Sequence, residues 1–234
     1  MTANEILAQL ERLGSPQRAE VAKRYFKTGP GEYGAGDIFY GLSAPVMRGL
    51  AREHQALSAK ETLRLLRSPV HEARAVALLI MVRAYAKGDA ATKQQIYETY
   101  LANTRRINNW DLVDASAPHI VGAHLADKSR KPLAALARSQ SLWERRIAII
   151  ATFYFIRAND FTDALKIAKL LLGDKEDLIH KAVGWMLREV GKRDRAGEVS
   201  FLQAHYQRMP RVMLRYAIER FPEAERQMYL KGMI

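Results

Sequence analysis

The residues best placed to do chemistry are Trp110 and Asp114, in the stretch TRRINNWDLVDASAPHIVGAH from Thr104 to His124. The stretch reads as a single helix, on which two side chains four positions apart lie one above the other. Asn108 or Asn109 is a good N-cap, and Asp111 falls about where a capping-box acid sits, its charge favoured by the helix N-terminus. Asp114 is past the first turn, where the helix end no longer accounts for a carboxylate. Pro118 follows and cannot donate to the Asp114 carbonyl, so the sequence bends or loosens the helix where it places an acid beside an indole. Stability alone gives no reason for that arrangement.

Composition bounds what this pair can serve. The chain has 234 residues, 48% of them hydrophobic and 26% charged, enough for one substantial core over 1–234. The apolar run Ile147 to Ile156 is too short to span a bilayer, and the amino terminus carries acids where a signal peptide needs an apolar core. A cytoplasmic protein that does not engage membranes is expected. Lys and Arg number 37 against 25 acids, a net charge of +12 that favours a polyanionic partner such as nucleic acid. With no cysteine, thiol nucleophiles, iron–sulfur clusters, thiolate zinc sites and disulfides are excluded. The six histidines form no HExxH or HxD pair, and no GxxxxGK[ST] occurs. No metal or cofactor is expected.

The elements that must position the pair are helices throughout. Thr2 to Glu5 is a capping box, and Ser15 caps a helix from Pro16 to about Lys27. The Gly-rich Thr28 to Asp37 cannot hold a helix and is the longest loop candidate. Ser43 caps the next helix, with Pro45 in its first turn, and Ser58 to Glu61 is another capping box. Apolar helices then begin near His71, Ile107, Trp143, Ile179 and Arg211, spaced 36, 36, 36 and 32 residues apart. Shorter, more polar helices alternate with them (Ala91 to Leu101, Pro132 to Arg138, Asp160 to Leu172). This is the pattern of an all-α solenoid of HEAT-like helical hairpins, whose inner helices line a basic concave face suited to a duplex.

On the fourth inner helix Lys181, Trp185, Arg188 and Lys192 form one stripe of alternating cation and aromatic. Arg145 and Arg146 sit in the first turn of the third, behind a Ser141 to Glu144 capping box, where the helix dipole disfavours cations and a partner is required. The last adds Arg208, Arg211 and Arg215. Each arginine alone reads as a solvated surface residue; together they favour phosphate binding. Trp143 fits helix packing equally well, whereas Trp110 and Trp185 share their faces with Asp114 and Arg188 and suit a site that attracts cations or stacks on bases.

The segments NNWDLVD (Asn108 to Asp114), WERR (Trp143 to Arg146) and KAVGWMLREVGK (Lys181 to Lys192), with YGLSAPVMR near the start and MPRVMLRYAIERF near the end, resemble the AlkD-like DNA alkylation repair family of HEAT-like DNA glycosylases over most of the chain. The resemblance implies that Asp114 is the catalytic aspartate and that Trp110 and Trp185 frame the lesion nucleotide. Arg146 would bind the backbone beside it, with Arg188 a further phosphate contact, and Tyr25 would match a site tyrosine. Lys181, Arg145, Arg211 and Arg215 join the phosphate-binding set. The implied partner is double-stranded DNA carrying purines alkylated at N3 or N7, bound by a monomer. No separate pocket motif is visible, and the resemblance implies a lesion left in or near the duplex. The competing reading is a non-catalytic HEAT-like module that binds bent, branched or damaged DNA through its phosphates, which leaves Asp114 unexplained.

Overall fold

In the computed structural model, which describes residues 1–234, the regular structure is helical throughout, apart from one isolated backbone bridge between Ile38 and Val70. Its helices gather into two compact units, residues 1–120 and 121–234.

The first unit holds α1 (Ala3–Leu13), α2 (Pro16–Tyr25), α3 (Ala44–Glu53), α4 (Ala59–Leu66), α5 (His71–Lys87), α6 (Ala90–Ala102) and α7 (Trp110–Asp114). Thr2 and Glu5 close the start of α1 as a full capping box. Ser15 caps α2, which ends at Tyr25. Two of the expected caps differ. Ser43 occupies the N-cap position of α3 but makes no side-chain cap bond. At α4 only Ser58 caps, because the Glu61 carboxylate instead accepts the backbone N–H of Ala3 at 2.8 Å and so ties α4 to the start of α1. The core helix is α5, buried from His71 to Met81 on almost every face and packed by α1, α3, α4 and α6.

The expected single helix from Thr104 to His124 is broken. A 3₁₀ turn covers Thr104–Arg106, α7 is five residues long, and a π-helical turn runs over Pro118–Gly122. Proline at 118 removes one backbone donor, and Ser116 competes for another acceptor by donating its hydroxyl to the Leu112 carbonyl at 2.6 Å. The helix is therefore interrupted directly after Asp114.

The second unit holds α8 (Lys131–Ala137), α9 (Leu142–Ala151), α10 (Phe153–Arg157), α11 (Thr162–Leu170), α12 (Asp177–Gly191), α13 (Arg195–His205), α14 (Arg211–Ala217) and α15 (Glu223–Lys231). Its core helix is α12, against which α9, α13 and α14 pack. Trp143 is buried there as a packing residue. The inner helices expected near His71, Trp143, Ile179 and Arg211 are α5, α9, α12 and α14, within two residues of their expected starts. The fold is an α-helical repeat.

The second unit also buries a lone acid. Glu198 on α13 is 2% exposed and lies so close to α12 that a Cβ at Gly191 would fall 1.6 Å from its carboxylate. Burial pushes this carboxyl up to about 8, against the weaker pull of Arg195 and Arg188. The native state thus holds a proton that the unfolded chain releases near 4.5, so this group costs stability progressively as pH rises from the unfolded to the folded value. Glu198→Gln is expected to melt close to wild type at pH 5 and several degrees higher at pH 8. Equal melting differences at both pH values would refute a buried neutral acid.

Candidate active site

The site is built from α7 outward. Asn109 caps this short helix by accepting the Trp110 N–H at 2.8 Å. Leu112 and Val113 bury one side of it, which leaves Trp110 and Asp114 half-exposed on another. Below them Tyr100 is fully buried on α6, and its hydroxyl is 2.9 Å from that of Ser116. Burial, and then the charge of Asp114, push the Tyr100 phenol well above its ordinary value, so it serves as a hydrogen-bond donor under the site.

Trp110 is the outer member of an aromatic row. It stacks on Phe26 at 5.5 Å, Phe26 stacks on Phe39 at 5.2 Å, and Phe39 stacks on the His71 ring at 4.6 Å. Tyr25, 64% exposed at the end of α2, meets the indole edge-on at 5.7 Å. The structure thereby brings Tyr25, Trp110 and Asp114 to one place. Beside them opens a cavity of about 540 Å³ walled by Phe26, Phe39, Met47, His71, Trp110 and Asp114, with Arg48 and Glu72 on its lining. This cavity has no contiguous signature in the sequence, because its lining is shared among α2, α3, α5, α7 and the loop before α3, which are far apart along the chain. Phe26, one residue after Tyr25 and aromatic like it, was the one available signal.

A buried polar chain underlies the aromatic row. The Asp37 carboxylate accepts from Arg74 at 2.7 Å, lies 3.3 Å from His71 Nδ1, and accepts from the Asn108 side chain at 3.4 Å. His71 Nε2 lies 2.8 Å from the Asp111 carboxylate. Asp111 therefore serves His71 and not the capping box expected of it. Burial works against the charge on Asp37, but the His71 hydrogen bond and the Arg74 guanidinium outweigh it and hold the carboxyl below its usual range. For His71 burial likewise opposes the charged form, and its hydrogen bonds to Asp111 and Asp37 outweigh it, raising the imidazole above its ordinary value. Next to it Glu72 accepts the backbone N–H groups of Tyr40, Gly41 and Leu42 at 3.1, 2.7 and 3.2 Å. Gly41 has φ +80, and a Cβ there would meet the Ser15 carbonyl at 2.3 Å, so only glycine lets the loop return against α2.

The second unit presents the other expected residues. On α12 the Trp185 indole donates to Glu189 at 3.1 Å and lies beside Phe153. Lys192 pairs with the same Glu189 at 2.6 Å, Lys181 with Asp177 at 2.7 Å, and Arg188 with Glu219. The stripe of cations thus carries its own counter-ions. Arg145 bonds Asp174 at 2.6 Å and the carbonyls of Ser139 and Gln140, which supplies the partner its position demanded. Arg146 is buried and donates to the Leu178 carbonyl at 2.6 Å. Arg211 donates to the Leu230 carbonyl, and Arg215 is exposed.

Fold and site together define an all-helical repeat protein that presents a carboxylate one turn from an indole at the rim of an aromatic-walled cavity. The family of DNA alkylation repair enzymes matches residues 6–221, and the chain belongs to that family. A solved structure described as a predicted DNA alkylation repair enzyme from Enterococcus faecalis superposes with a TM-score of 0.68 at 16% identity, covering 90% of this chain and 97% of that one; the likeness carries the fold. No curated protein matches the chain. No helix is long and apolar enough to cross a membrane.

Proposed function

We propose that the protein is a DNA glycosylase that hydrolyses the N-glycosidic bond of purines alkylated at N3 or N7 in duplex DNA. Membership in the repair family supports a role in alkylation repair. The observation that carries the finer reading is Asp114, half-exposed beside Trp110 on a helix interrupted just after it. A purine alkylated at these positions is already cationic and leaves as a neutral base, so no strong general acid is required. As the C1′–N bond stretches, positive charge develops on the deoxyribose, as in glycoside hydrolysis. A carboxylate about 4 Å away stabilises that charge by on the order of 4 kcal/mol at an effective dielectric near 20. Water then adds to C1′, its proton is lost, and the products are the free base and an abasic site. In this reading Asp114 also orients that water. Trp110, Trp185 and Tyr25 contact the lesion nucleotide in this reading. Arg188, Lys181, Arg145, Arg211 and Arg215 provide the basic surface for phosphates, with those held in ion pairs exchanging a carboxylate for a phosphate; Arg146, buried against the Leu178 carbonyl, has to turn outward to reach the backbone.

The test is release of 7-methylguanine and 3-methyladenine from methylated duplex DNA at low salt, where phosphate contacts are strongest. Release above the spontaneous rate supports the proposal. Tight binding without release of either base would replace it with the non-catalytic DNA-binding module.

A further inference from the structure

We propose that His71 is a positioning residue of this site: a two-sided clamp that joins Asp37, at the end of the Gly-rich loop, to Asp111 on α7, and so sets the orientation of Trp110 and Asp114. The inference rests on the glycosylase reading for its kinetic consequence, but the clamp itself is a property of the fold.

The need for such a clamp follows from the length of α7. Five residues cannot sustain a helix in isolation, and α7 is bounded by irregular chain before Trp110 and by the interruption after Asp114. Two side-chain anchors hold its first turn. Asn109 caps its first residue, and Asp111 is held by His71 alone: one carboxylate oxygen is bonded to Nε2, while the other is buried without a hydrogen-bond partner. Asp111 sits next to Trp110 and three residues before Asp114, so a rotation of α7 about this anchor moves both.

His71 is equipped for the part. It is 1% exposed, stacked against Phe39, and its own N–H is fixed to the Ile38 carbonyl at 2.8 Å. Both of its ring nitrogens face carboxylates, which only accept, so both must carry protons for both bonds to exist. The ring is therefore an imidazolium. The charged groups around it are consistent with this: Asp37 from the loop, Asp111 from α7, and Glu72 and Arg74 from its own helix, with Asp114 and Arg48 on the shared cavity. Arg74 and the imidazolium together balance Asp37 and Asp111. Loss of the proton would turn a lone pair toward one carboxylate and release that side of the clamp.

Because His71 titrates above its ordinary value in the folded chain, the clamp is complete below the unfolded histidine range and is lost as pH rises through the folded value. Single-turnover excision by the full chain on methylated duplex is expected to show an alkaline limb that belongs to this ring. His71→Gln should slow excision by roughly tenfold to a hundredfold, the effect of a small misplacement of a reacting group, and abolish the limb while retaining affinity for unmodified duplex. Asp111→Asn, which keeps side-chain volume and removes one counter-charge, should move the limb to lower pH. Alongside, ¹⁵N NMR of the His71 ring in wild type should show both nitrogens protonated at pH 7, with the titration point lowered in Asp111→Asn. The NMR readout needs no catalysis, so it separates the two readings: a protonated ring in a protein that releases no base leaves the clamp standing and removes the glycosylase. A neutral ring at pH 7, or an unchanged limb in both variants of an active enzyme, overturns the inference.

Discussion

Asp114→Asn is expected to slow release of 7-methylguanine by roughly a thousandfold, the rate equivalent of about 4 kcal/mol of transition-state stabilisation. Asparagine has the same shape and can still accept a hydrogen bond, but it carries no charge to oppose the developing oxocarbenium. Affinity for duplex DNA should stay the same or rise, since a carboxylate facing phosphates is repulsive. Single-turnover rates and binding titrations at one low salt concentration measure both quantities. Thermal melts provide the control, because the Asp114 charge also acts on the buried Tyr100 phenol. A variant that melts lower and binds more weakly, with excision reduced only in proportion, would show Asp114 to be a structural residue.

The second large effect is on stability. Glu72→Ala should destabilise the protein by about 3–5 kcal/mol, the cost of breaking a buried charged hydrogen-bond set by removing one side of it. Glu72 is 2% exposed and is a shared acceptor for three successive backbone N–H groups at Tyr40, Gly41 and Leu42. Alanine leaves those donors without their acceptor and opens space at the cavity wall. For a chain of this size each kcal/mol lowers Tm by roughly 2–4 °C, so a fall of roughly 10 °C is expected in a calorimetric scan. Glu72→Gln, which preserves one acceptor oxygen, should recover part of the loss. A melting point for Glu72→Ala within a degree or two of wild type would mean that the loop from Tyr40 to Leu42 finds its hydrogen bonds elsewhere.

Much of this protein is legible in local patterns. Helix starts at Thr2, Ser15 and Ser141 follow from side-chain oxygens that meet backbone donors three residues on. The repeat follows from apolar helices returning at nearly constant intervals. Asp114 stands out because no local rule explains a carboxylate at that point, and Pro118 correctly marks a disturbance. Its extent is not legible: whether proline bends a helix or ends it depends on what else competes for the neighbouring carbonyls, here the Ser116 hydroxyl on that of Leu112.

What the sequence by itself determined is the class of structure and the identity of the singular residues: helices, their period, the basic excess, the absence of cysteine, and an acid next to an indole. These depend on contacts within a few positions along the chain or on composition. Only the tertiary structure decided what those residues face. Asp37 and Asp111 are 74 positions apart, yet they share His71. Glu61 reads as a capping acid and instead holds the start of α1. The cations of α12 read as free for phosphate and are paired with Glu189, Glu219 and Asp177. Spacing along a helix says which side chains share a face, but a carboxylate takes whichever donor packing brings within about 3 Å, and packing joins residues that have no relation in sequence.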